Sequence, residues 1–164
     1  MKTQTHRLLS IAAIIATGIA YTFAGTSARA DEKSKPGHSH EKKVAGPNGG
    51  RLITSVKPRL EFFVTKDRKV KITAVDDHNK PIAITDQSVK VSGGSRLFPA
   101  RMKFEKKDGA LISSNAFPDG KKLPVVVQIK ATPDSKTVIE KFYLNQSTCP
   151  ECKLEEYACI CNHH

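Results

Sequence analysis

The chain has 164 residues, a formal net charge of +11, no tryptophan and four cysteines. That length suits one domain with a real core and short appendages. The basic excess lies at alternating positions instead of in a block, and with three tyrosines and no nucleic-acid motif it gives no footprint for nucleic acid. No Ser/His/Asp grouping, phosphate-cradling glycine loop or pair of catalytic carboxylates is present either, so the chain reads as a protein that is not an enzyme.

Lys2 and Arg7 precede an apolar run over residues 8–20, interrupted only by Ser10 and Thr17, and the segment closes on Ala28-Arg29-Ala30. A positive start, a short hydrophobic stretch and small residues at the A-x-A positions describe a signal peptide over residues 1–30, cleaved after Ala30. The run is short for a membrane anchor. The expected location is therefore periplasmic or secreted, with no membrane insertion after cleavage. Cleavage removes Lys2, Arg7 and Arg29 and no acid, leaving 24 Lys+Arg against 16 Asp+Glu and a formal +8.

Residues 31–45 are polar and carry His38 and His40, a composition that reads as a flexible arm. Two histidines one residue apart can hold a divalent ion weakly, or simply belong to an uncommitted arm. From 46 to 145 the pattern turns to period two. Leu60, Phe62 and Val64 share one face, as do Val70, Ile72 and Ala74. Met102 with Phe104, then Val125, Val127 and Ile129, then Val138, Phe142 and Leu144 give further sets. Turn residues separate them: Lys66-Asp67-Arg68, the run Asp76-Asp77-His78-Asn79-Lys80-Pro81, Gly93-Gly94, Asp108-Gly109, Pro118-Asp119-Gly120 and Pro133-Asp134. This predicts an all-β fold, an antiparallel immunoglobulin-like sandwich of about seven strands. His78 and the turn aspartates read as exposed residues that cap their own backbone.

The histidine-bearing arm runs into Gly46-Pro47-Asn48-Gly49-Gly50-Arg51-Leu52 and then into strands reaching Pro81. This stretch, roughly residues 38–81, resembles the extra N-terminal β-domain of some periplasmic adaptor subunits of heavy-metal efflux systems. The whole chain is similar to small exported proteins of unassigned function with the same G-P-x-G-G-R-L block and a cysteine-rich end. It departs from the adaptors in having no room for their hairpin, lipoyl and barrel parts. The resemblance implies metal handling in the envelope; separately, an edge or basic face of the sandwich offers a surface for an envelope protein partner.

The remaining segment, 146–164, holds every cysteine: Cys149-Pro150-Glu151-Cys152, a six-residue gap, then Cys159-Ile160-Cys161-Asn162-His163-His164. Thiolates and imidazoles are the ligands of soft and borderline metals, so Cys149, Cys152, Cys159 and Cys161, with His163 or His164 as further donors, read as a zinc or copper site. After cleavage only Met102 remains, which disfavours a methionine-based copper site. Two disulfides are the alternative in an oxidising compartment. Closing short loops stabilises by about 3 kcal/mol or less, and a Cys159–Cys161 bridge would close a very small ring. Dithiol redox chemistry at the C-x-x-C pair is a third reading, without the β-α-β context that makes such pairs reactive. The sequence thus offers two function classes. One is an exported metal-binding protein. The other is a structural or interaction module whose tail is closed by local disulfides and only stiffens it.

Overall fold

The computed structural model describes residues 43–161, so the expected signal peptide, His38, His40, His163 and His164 lie outside the described residues. The described part is all-β, with ten strands, antiparallel pairing throughout and no α-helix. One sheet joins β1 (Arg51–Ile53), β2 (Arg59–Val64), β3 (Lys69–Val75), β8 (Ala110–Ala116) and β7 (Phe104–Lys107) in that order, with the two-residue β4 (Pro81–Ile82) against the end of β3. The second runs β10 (Val138–Leu144), β9 (Leu123–Lys130), β5 (Ser88–Gly94), β6 (Pro99–Met102).

The predicted apolar sets become the inner faces. Leu60 and Phe62 on β2 and Val70 and Ile72 on β3 are fully buried, in one cluster with Val125, Val127 and Ile129 of β9. Each such side chain removed from water contributes about 1.5–3 kcal/mol, which offsets much of the entropy lost in ordering its strand. Register follows from this burial, because a slip of one residue on β2 would drive Glu61 inward and Phe62 outward.

The described residues form ten strands where about seven were expected, and two local departures from the predicted pattern stand out. Residues 101–105, read as one strand, split at Lys103: Met102 ends β6 in the second sheet and Phe104 opens β7 in the first. The backbone donor and acceptor of Lys103 go to Asn115 Oδ1 and Ser114 N, both at the end of β8, which holds the crossing in place. The alternation survives because both side chains face the shared core, from opposite sheets. Gly93-Gly94, read as a turn, lies inside β5, paired with Ala100 and Pro99 on β6. A Cβ on Gly93 would sit 2.3 Å from Phe117 Cζ and 2.7 Å from the Pro124 carbonyl oxygen. Glycine is there because a ring and a backbone occupy the side-chain position.

Glu61 explains the glycine-rich block. It faces away from the core on β2 yet is fully buried, because the 46–50 turn folds over it. Its Oε1 accepts from Asn48 N and Gly50 N, both at 2.8 Å, and its Oε2 from Asn48 Nδ2. A Cβ on Gly46 would meet the Glu61 carboxylate at 2.4 Å, and one on Gly50 the Phe62 carbonyl oxygen at 2.4 Å. Gly49, at φ +82°, makes the left-handed step. The turn brings Ala45 beside Arg51, so the chain entering the fold partly covers the outer edge of β1.

Charge-assisted hydrogen bonds contribute about 1.5–3 kcal/mol each, and donors stripped of their acceptor while buried cost comparable amounts. Replacing Glu61 by alanine should therefore lower stability in urea unfolding by about 3 kcal/mol. Glutamine, which keeps one acceptor oxygen, should cost less. A loss below about 1 kcal/mol for the alanine variant would show that the turn holds without its carboxylate.

Candidate metal centre

After Leu144 the chain stays with the sheets. Glu156 N donates to Ser147 O and Tyr157 N to Asn145 O, tethering residues Glu156–Ala158, a single 3₁₀ turn closed by Ala158 N donating to Glu155 O. Tyr157 enters the core at 4 % exposure, and Ala158 is buried beside it. The Tyr157 ring lies edge-on to Phe62 at 6.0 Å and stacks on Phe142 at 6.5 Å, while its hydroxyl accepts from Val64 N at 3.2 Å. Arg51 covers the other side of this group, 4.8 Å over the Phe142 ring, and donates to Tyr157 O. A segment with six residues between its cysteine pairs has little room for a core of its own. The aromatic insertion makes it part of the core instead.

The two cysteine pairs reach one point by different backbone devices. Cys149-Pro150-Glu151-Cys152 forms a tight turn closed by Lys153 N to Cys149 O at 3.1 Å and Cys149 N to Leu154 O at 2.7 Å. Proline fixes φ at the start of this turn, and Lys153 takes a left-handed φ of 62° that lets the chain double back. Cys159 is extended, with φ −59° and ψ 132°. In extended backbone residues i and i+2 share a side, so Cys159 and Cys161 turn toward the first pair while the Ile160 side chain reaches 36 % exposure.

Cys149 Sγ lies 3.6 Å from Cys159 Sγ and 3.9 Å from Cys161 Sγ, and Cys152 Sγ lies 3.7 Å from Cys159 Sγ. All four sulfurs fall within 4.8 Å of one another. A tetrahedral zinc with bonds of about 2.3 Å places its sulfurs about 3.8 Å apart, whereas a disulfide requires about 2.05 Å. The cysteines are free thiols here, and three of their six separations lie near that tetrahedral edge. The cluster could hold a metal ion. Cys149 is fully buried and the other three are half-buried, so the cluster has an inner and an outer side.

The protons on these sulfurs are unequal. Hydrogen bonds from the Leu154 and Ile160 amides lower the Cys152 thiol to about 6. Desolvation, together with the sulfurs around it, pushes Cys161 up, and desolvation likewise raises Cys159. One thiolate is thus ready at neutral pH, while desolvation and the neighbouring sulfurs favour the protonated forms of Cys159 and Cys161. A cation supplies the positive charge that reverses this, so uptake releases protons.

A cleft of about 250 Å³ opens beside the cluster, between β1 and the tail, with Lys43, Arg51, Arg59, Cys159 and Ile160 among its walls. Its cations offset the negative charge that four thiolates and one divalent ion would leave. Sequence reasoning found all four cysteines but not Tyr157, Arg51 or this cleft. A lone tyrosine has no periodicity to betray it; the only signal was an aromatic two residues before Cys159. Of the other residues singled out, His78 is exposed, and its amide donates to Asp76 Oδ1 as a self-capped turn does.

Compared with protein-family models, curated proteins and solved structures, the chain matches none.

In metal-free protein under reducing conditions, iodoacetamide at pH 7 should modify Cys152 first, since alkylation proceeds through the thiolate. Its rate should fall as pH drops through about 6, where that thiolate gains its proton. Peptide mapping by mass spectrometry reads the order, and labelling led by Cys161 would contradict it.

Proposed function

We propose that this chain is an exported, non-catalytic metal-binding protein that captures or buffers one zinc or copper ion at Cys149, Cys152, Cys159 and Cys161. The observation that carries the reading is the set of sulfur separations, 3.6, 3.7 and 3.9 Å, around the edge length of a tetrahedral sulfur shell. Tetrahedral four-sulfur sites suit zinc, while thiolates also suit cuprous copper. Zinc is the first expectation. The half-buried outer sulfurs and the adjoining cleft support transfer by ligand exchange, in which a donor or acceptor approaches from the Cys159 side. His163 and His164, three and four positions beyond Ile160, and His38 and His40 in the arm supply secondary donors in this reading. The leader-like segment ending at Ala30 supports the exported setting. Metal handling there is the expectation that goes with the resemblance read from the sequence over roughly residues 38–81.

A second reading is favoured by Tyr157 and Ala158 lying in the core. There the cluster is a clamp that fastens the chain end to the sandwich, and an envelope protein is the functional partner. The two readings differ in what metal removal does. For a carrier, a competing thiol chelator should withdraw the ion within minutes and leave the sheets folded. For a clamp, withdrawal should need opening of the tail and should be as slow as that opening.

Protein purified under reducing conditions should contain about one zinc or copper per chain by elemental analysis, with few thiols titratable until a chelator is added. Cobalt substitution should give a thiolate-to-cobalt charge-transfer band. The double variant Cys149→Ser/Cys152→Ser should lose both the metal and the band. Protein from the native compartment that holds no metal and has four oxidised cysteines would sink the metal reading.

A further inference from the structure

At the end of the second sheet, the β5–β6 hairpin carries Leu97 and Phe98 at its tip, exposed to 83 % and 85 %. They are adjacent in sequence, and the next most exposed large apolar side chain, Ile139, reaches only 54 %. Single exposed apolar residues need no explanation, but a neighbouring pair this open on a hairpin tip does. Solvent gains nothing from it and the core does not use it.

The surroundings are cationic. Arg96 precedes the pair, and its Nη2 lies 3.5 Å from the Tyr143 hydroxyl. Lys122 Nζ sits 5.3 Å from the centroid of the same Tyr143 ring, which is half exposed. Lys121 is exposed beside it. The loop that carries these lysines is the tip's neighbour, since a Cβ on Gly94 would lie 3.1 Å from Pro118 Cγ. The acid of this loop, Asp119, is engaged by Arg68. Two apolar side chains at a protruding turn, an amphipathic tyrosine behind them and cations around them match the layered chemistry of an anionic membrane surface.

We propose that this tip docks the protein on anionic lipid: Leu97 and Phe98 enter the interfacial region, Tyr143 lies at headgroup level, and Arg96, Lys121 and Lys122 meet the lipid phosphates. The attachment is peripheral and reversible. Two apolar side chains and a few cations give weak, salt-sensitive binding, far below that of a spanning segment. It is separate from the cysteine cluster and does not depend on it.

The test is sedimentation of the full chain with vesicles of phosphatidylcholine alone and of phosphatidylcholine mixed with phosphatidylglycerol. Binding is expected to the mixed vesicles, with little to the neutral ones, and it should weaken as salt is raised. Leu97→Ser/Phe98→Ser should lose about tenfold in partition per side chain. Its thermal unfolding should be unchanged, because neither residue packs in the core. Arg96→Gln/Lys122→Gln should lose binding to the mixed vesicles and the salt dependence with it. Three results would overturn the proposal: no sedimentation with either vesicle, equal sedimentation with both, or undiminished binding of the serine variant, which would reduce the effect to general basicity.

Discussion

The packing of Tyr157 against the touching rings of Phe62 and Phe142 is the contact on which the cysteine cluster depends. A segment this short, with two turns and one 3₁₀ turn, cannot bury a core of its own. It borrows one instead: the ring packs on Phe62 and Phe142, and its hydroxyl accepts from the Val64 amide. With that residue fixed, Ala158 and Cys159 have a defined direction, and the pair Cys159-Ile160-Cys161 must pass the Cys149–Cys152 turn. Sulfur convergence is thus a consequence of aromatic packing as much as of the cysteine spacing.

Burial of a polar group plays the matching part at the other side of β1. Glu61 lies on the sheet face that would ordinarily meet water, and the Gly46–Gly50 turn closes over it to satisfy its oxygens with two amides and the Asn48 side chain. The block that looks like a family signature in the sequence therefore has a local physical cause. Carboxylate and backbone occupy the space a side chain would need at Gly46 and Gly50. Any chain using this turn over a buried acid would need small residues at the same two places.

Much of the architecture was legible because burial on one face imposes period two, and Leu60, Phe62, Val70, Ile72, Val125 and Val127 obey it without interruption. The two misreadings share a cause: period-two patterns record which way a residue faces but not which sheet it faces from. Met102 and Phe104 both look inward and belong to different sheets. Gly93 looks like a break because its side-chain position is filled by Phe117, a neighbour distant in sequence. At the candidate metal centre the four cysteines and their grouping were legible from residue type and spacing. What holds them together was not, since it depends on Tyr157, Arg51 and the left-handed Lys153, none of which belongs to a repeating pattern. The arm and terminal histidines lie outside the described residues.

The sheet borders have a consequence for behaviour at high concentration. Besides the two-residue β4, four strands border the two sheets, and each offers a poor template for a stranger's backbone. β1 is three residues long and partly covered by Ala45; β6 begins with Pro99 and carries Arg101; β7 presents Glu105, Lys106 and Lys107; β10 carries Glu140 and Lys141. Charge, proline and brevity at the margins oppose runaway fibril growth. Even with the cysteine segment loosened, these borders would still favour separate molecules over polymer.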